Sequence, residues 1–245
     1  RLRVEFLRLS MLLLEYAPTA IECHRKEVIK FSWVLLKSDD LNCKNWAYLT
    51  LCRFVAAFET PANIVMQIYV ALLRAYQHES REIVKASVAI LVPSLQERFN
   101  KFEFNEAIQY TNKILYEEGN SVPHVAHIWQ IIAAHSEVFR SHRNQFIRHI
   151  INSVNRLGLP PSCPIENRAL SLRLTELVLE WQEDQHNSLP TEVDAHLDSG
   201  EKSAITEENP PETLEQNILA SDKGPDHIDT LANFLVRMKI LLADA

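Results

Sequence analysis

"LGLPPSCPIENRALSLRLTELVLEWQ", residues 157–182, decides how this chain is built. Ser162 is placed to cap a helix, Pro164 to occupy its first turn, and Glu166 to sit where the helix dipole favours acid. Behind that start, Leu170, Leu174, Leu177, Val178 and Trp181 recur at helical spacing as one apolar stripe. Leu172 and Leu179 fall on nearly the opposite side, so the helix is expected to bury two faces. A helix pressed from both sides belongs in a stacked helical array.

Working outward, the rest reads as helix after helix. Residues 2–17 carry Val4, Leu7, Met11 and Leu14 on one face, widened by Leu2, Phe6, Leu9 and Leu13, with Pro18 past the end. Further helices are expected over 21–37 and 42–57, separated by "DDLNCK". Thr60 and Pro61 start a fourth, with Ile64, Ile68, Ala71, Leu72 and Ala75 as its stripe. The next spans 79–91, with Ile83, Ala86, Ile90 and Leu91 inward, and Pro93 is expected to end or kink it. Helices over 103–118, 122–138, 141–157 and 164–182 follow. Ser121 and Ser141 are placed to cap two of these, and Gly119 and Gly158 to stop the helices before. Residues 227–243 offer Ile228, Leu231, Leu235 and Met238 as a last face. Pair starts near 2, 42, 79, 122 and 164 differ by about 37 to 43 residues, the period of HEAT-type helical hairpins. The expected fold is all-α, an α-solenoid of HEAT-like hairpins over 1–182, continued by a further helix in 227–245.

Composition agrees. The 245 residues are 47% apolar, enough for a sizeable core, and contain only 4 glycines, which disfavours tight-turned sheets and phosphate-cradling loops. Cys23, Cys43, Cys52 and Cys163 lack the paired spacing of a zinc site or disulfide framework and read as buried thiols. No run is long and apolar enough for a membrane span, so no membrane partner is expected. The chain opens at Arg1 inside an amphipathic pattern, which reads as a piece cut from a longer protein. Residues 183–226 hold 12 of the 32 acids and only Lys202 and Lys223, a net of −10 that leaves +3 for the rest. That stretch is expected to be a disordered acidic linker, with at most a short helix over 213–219.

Candidate chemistry is scarce. His124, His127 and His135 have metal-like helical spacing but no acid or cysteine within that segment to complete a set, and Cys23 and His24 point apart. Trp33, Trp46, Trp129 and Trp181 read as core pieces. No nucleotide-binding, kinase or hydrolase motif occurs, so no catalytic residue, cofactor or metal is assigned. The feature that stands out is "VFRSHRNQFIRHIINSVNRLG", residues 138–158: no Asp or Glu occurs from Val138 through Ile165. Phe146, Ile150, Val154 and Leu157 make the inward stripe of its helix, leaving Arg148, His149, Asn152 and Arg156 together. Arg140 and Arg143 extend the positive region at the helix start. Arg140, Arg143, Arg148, His149 and Arg156 are therefore the candidate surface for an acidic partner. Sequence-specific nucleic acid is a poor fit to a folded part of only +3.

"ILYEEGNSVPHVAHIWQII" (114–132) and "NSVNRLGLPPSCPIENRALSLRLTELVLEWQ" (152–182) resemble the HEAT region of the transformation/transcription domain-associated protein (TRRAP) family. "RVEFLRLSMLLLEYAP" (3–18), "SREIVKASVAILVPSLQERF" (80–99) and "IDTLANFLVRM" (228–238) are similar to the same region in the same order. The resemblance implies a nuclear, non-catalytic scaffold segment, distant from a pseudokinase domain of the phosphatidylinositol-3-kinase-related kind. Such scaffolds serve histone acetyltransferase complexes of the SAGA and NuA4 types. The implied partners are acidic transcription activators, other subunits of those complexes and the rest of the same long chain. The alternatives are a solenoid segment of an active kinase of that superfamily and a HEAT-repeat nuclear transport adaptor.

Overall fold

The computed structural model describes residues 1–187 and 224–243. Eleven helices occur there and no strand: α1 (Leu2–Tyr16), α2 (Arg25–Leu36), α3 (Leu41–Ala57), α4 (Ala62–Leu73), α5 (Arg81–Arg98), α6 (Lys101–Glu117), α7 (Val122–Ala134), α8 (Ser136–Phe139), α9 (Arg143–Gly158), α10 (Ile165–Asn187) and α11 (Gly224–Ala243). Local chemistry sets several starts. The Asp40 carboxylate accepts the Asn42 N–H at 3.0 Å and opens α3. Asn100 and Glu103 exchange bonds of 2.9 Å in a capping box that opens α6 at Lys101, ahead of the expected start at 103. The expected linker, including its short helix, lies largely outside the described residues.

The helices form two stacked rows, as an α-solenoid requires. First helices pack on first helices, α1 on α3, α3 on α5 and α7 on α10, while α4 packs on α6 and α9 on α11. Polar bonds between neighbouring hairpins repeat at the same step. The Thr50 hydroxyl donates to the Leu7 carbonyl, 43 residues away, and Tyr69 shares a bond with Thr111, 42 residues away. The Arg98 guanidinium donates to the Val55 and Ala56 carbonyls at the end of α3, at 2.9 and 3.0 Å. One repeat thus supplies donors that the last turn of another helix lacks. The main core runs from Tyr48 to Met238 without interruption. Near its middle, Phe139 meets Phe146 edge-on with ring centres 5.9 Å apart, and Trp129 meets Phe146 at 6.4 Å.

Several expectations are corrected. Helix α5 does not end at Pro93 but continues to Arg98: Pro93 lies on the solvent side while Leu91, Val92 and Leu95 anchor both flanks in the core. Its inward stripe is Val84, Ser87, Val88 and Leu91; Ala86 is exposed and Ile83 and Ile90 are half-buried. Residues 18–24 form a 3-10 turn before α2, and the expected helix over 122–138 divides after Ala134, where His135 leaves helical geometry (φ −126°, ψ 38°). Helix α10 buries Leu170, Leu174, Leu177, Val178 and Trp181, but Leu172 and Leu179 face out. Only one of its two apolar faces is therefore covered by the described residues. The same holds for Leu2, Phe6 and Leu9 on α1 and for Ile228 and Leu235 on α11, where Phe234 occupies the inward position instead. Of the four free cysteines only Cys43 and Cys52 are buried, and Cys23 is exposed.

Gly158 does more than stop a helix. It is the last residue of α9, and a Cβ there would lie 2.7 Å from Met238 Cε and 2.9 Å from Ser171 Oγ. The missing side chain lets α10 and α11 close on α9 at one point.

Candidate functional site

Helix α9 carries the acid-free surface. Phe146, Ile147, Ile150, Ile151, Val154 and Leu157 bury one side of it, which fixes where its cations point. At about 100° per residue, Arg148, Asn152, Arg156 and His149 share the opposite arc. Asn112 of α6 donates to the Gln145 side chain at 3.1 Å and holds the edge of this arc against the neighbouring hairpin.

The five candidate residues separate into two groups. Arg140 precedes α9 and binds Glu137 at 3.3 Å and also Asp184 of α10, whose charge is the main reason its pKa lies above the usual guanidinium value. Arg143 lies nine residues before Asn152, half a turn around the helix from the arc, and its Nη1 donates to the Arg140 carbonyl at 3.2 Å. These two therefore stand apart from the exposed Arg148 and Arg156 and the half-buried His149. His149 and Arg156 of the second group border a recess of about 270 Å³ whose other wall is Tyr116, Gly119 and Asn120, with Trp129 beneath. His149 is held towards its neutral form by burial first and by the Arg148 charge second. A positive rim with hydrogen-bond donors suits a carboxylate.

Two histidines of α7 have a definite task. His124 Nε2 lies 2.9 Å from the Leu73 carbonyl and His127 Nε2 2.9 Å from the Leu72 carbonyl, both at the end of α4. Each must carry its proton on Nε2 to donate there. His124 also stacks on Tyr76, with ring centres 4.5 Å apart. Its Nδ1 is 3.6 Å from the Glu118 carboxylate, too far for a hydrogen bond. Among the described residues no three His, Cys, Asp or Glu side chains gather as a metal set, and no helix is long and apolar enough to cross a membrane.

Burial lowers the pKa of His127, His135, His142 and His149 below the ordinary 6.5. As pH falls below about 6.5 the unfolded chain takes up these protons first, so stability present above that value is lost. The thermal midpoint followed by circular dichroism is expected to fall between about pH 7 and 5. A midpoint that rises on acidification would contradict the buried, neutral assignment.

Comparison with known proteins places this geometry. The family described as the Tra1 HEAT repeat ring region matches residues 1–245. The chain is 37% identical over 194 residues, 78% of its length, to "Probable transcription-associated protein 1" of Dictyostelium discoideum. It is 29% identical over 284 aligned residues, 99% of its length, to "Transformation/transcription domain-associated protein" of Homo sapiens. It is 31% identical over 181 residues, 74% of its length, to "SAGA complex/NuA4 acetyltransferase complex subunit TRA1" of Saccharomyces cerevisiae. The chain spans 4%, 7% and 5% of those three relatives. Two rows of stacked helices, tied at a step of about 40 residues and matched along their whole length, identify it as a member of the Tra1 family, within the HEAT repeat ring region.

Proposed function

We propose that this chain is a non-catalytic scaffold segment of a Tra1-type subunit, working in the nucleus within a histone acetyltransferase complex. The match over residues 1–245 carries the reading, since a relative over the same repeats is named as a subunit of the SAGA and NuA4 acetyltransferase complexes. In this reading the segment supplies shape. It stacks against the rest of its own long chain, holds other subunits of the complex, and uses no cofactor, sequence-specific nucleic acid or membrane.

The finer part of the proposal is that acidic transcription activators are received on α9. The cations Arg148 and Arg156 support it: Arg156 lines the recess together with His149, and Arg148 is close enough for its charge to act on that imidazole. Arg140 and Arg143 serve packing at the helix start. Arg148→Glu combined with Arg156→Glu is expected to weaken an acidic activator peptide about fivefold or more at low salt, with helicity unchanged. Equal binding by the double variant would reduce the surface to a solvated face. For the scaffold reading, acetyltransferase activity should co-purify with the full-length protein and not be made by this segment alone.

A further inference from the structure

In the row of second helices α4 packs on α6, but α2 and α4 make no comparable contact. A recess of about 550 Å³ opens between them, a size that suits a small ligand or a single long side chain. Trp33 and Leu36 of α2 and Met66 and Val70 of α4 give it apolar walls.

Three neutral polar residues line the same recess: Asn45 and Tyr48 of α3, and Ser80 at the turn before α5. They are 9%, 5% and 1% exposed, and none of their side chains has a hydrogen-bond partner among the described residues. Buried hydroxyls elsewhere behave differently. Thr50, Ser87, Thr111 and Thr175 each donate to a carbonyl of their own helix. Buried polar groups are nearly always satisfied, so three orphans around one recess mark a place for something that hydrogen-bonds. Asn45 and Tyr48 stand three residues apart on α3, which sets their side chains next to each other.

Charge decides what can enter. No Asp or Glu lines the recess. Arg74 at its edge pairs with Glu117 at 3.8 Å, which leaves the half-buried Lys44 as the uncompensated charge among the described residues. A cation placed there would lose its water beside Lys44 and gain no counter-ion. An anion would meet a single ammonium while the apolar walls strip its water. A neutral amide on an apolar stem fits all of these groups. Its carbonyl accepts from the Asn45 carboxamide, and its N–H donates to the Tyr48 or Ser80 hydroxyl oxygen.

We propose that the recess between α2 and α4 binds the side chain of an acetylated lysine on a protein segment. Acetylation converts the ammonium into a neutral amide and leaves the apolar stem unchanged. The stem lies along Trp33, Met66 and Val70, and the acetamide reaches the three unpartnered groups. The amide chemistry stands on the recess alone, whereas a lysine as its carrier rests on the proposed place beside an acetyltransferase.

The test uses the 245-residue chain and a fluorescently labelled Gly-Ser peptide with a single central lysine, in acetylated, unmodified and succinylated forms. The acetylated peptide is expected to bind about tenfold tighter than either of the others. Asn45→Leu removes the carboxamide at similar size and should abolish that preference. Because Asn45 has no partner to lose, the same change should leave the thermal midpoint equal or higher, whereas loss of a structural asparagine would lower it. Val70→Trp fills the recess and should weaken the acetylated peptide about tenfold with the circular dichroism spectrum unchanged. Lys44→Glu supplies the missing counter-ion and should strengthen the unmodified peptide, so that the ratio narrows. The proposal is overturned if the three peptides bind equally, if the succinylated one binds tightest, or if Asn45→Leu keeps the preference. Binding by none of them would mean that water alone satisfies the three side chains, and would overturn it too. These ratios do not depend on whether acetyltransferase activity co-purifies with the full-length protein, so failure of the scaffold reading and failure of this site show separately.

Discussion

Trp129→Ala is expected to remove about 4 kcal/mol of stability, the largest loss foreseen for any single change in this chain. Trp129 is fully buried in the middle of the continuous core and meets Phe146 edge-on. Truncation leaves an indole-sized cavity where α7 meets α9, and the helices on either side cannot close it without losing their stacking. The buried Nε1–H has no hydrogen-bond partner. Trp129→Phe should therefore cost far less than the alanine change, because it keeps most of the volume and removes an unsatisfied donor. Urea midpoints of the three proteins decide the matter. If phenylalanine costs as much as alanine, a bond to the indole N–H is part of the stability and the volume argument is wrong.

Gly158→Val is expected to cost about 3 kcal/mol and to act locally. The first added carbon alone would sit within 3.0 Å of Met238 Cε, Ser171 Oγ and Ser171 Cβ. The Met238 methyl can swing away, but Ser171 Cβ is fixed by its place in α10, so valine has to push α10 or α11 off α9. Helix α11 is the weaker neighbour, with Leu231, Phe234 and Met238 as its buried anchors. Amide hydrogen exchange should show residues 228–242 losing protection while residues 41–117 keep theirs. Combining Met238→Ala with Gly158→Ala should cost less than the sum of the two single changes, since the clash partner is gone. Strict additivity would mean that the close approach carries no strain.

The array itself could be read from the sequence because its causes are local. The start of α10 at "PSCPIE" and the stripe Leu170, Leu174, Leu177 and Trp181 depend on positions a few residues apart. The capping box at Asn100 and Glu103 is a local signal too, and it places the start of α6 at Lys101. That α5 does not end at Pro93 is not legible locally, because it depends on which face Pro93 occupies, and packing against the neighbouring hairpin decides that. The opposition of Arg143 to Asn152 follows from counting residues around the helix. The withdrawal of Arg140 does not, because its partner Asp184 lies on another helix. Likewise nothing near His124 and His127 announces carbonyls 51 and 55 residues upstream. Long-range satisfaction of a helix end leaves no local trace, so the role of the pair is not visible in the sequence.

Those two histidines also set a clock on the ribosome. A growing chain lengthens by about 5–20 residues each second, so Leu72 and Leu73 emerge roughly 3 to 10 s before the imidazoles that will bind them. Helix formation itself takes about a microsecond. During synthesis α4 is thus complete early: the Leu72 carbonyl already accepts the Ala75 N–H at 3.1 Å, while the Leu73 carbonyl stays bonded to water over millions of folding attempts. The end is sealed only when α7 arrives, and a translational pause between residues 73 and 124 prolongs that open interval in direct proportion.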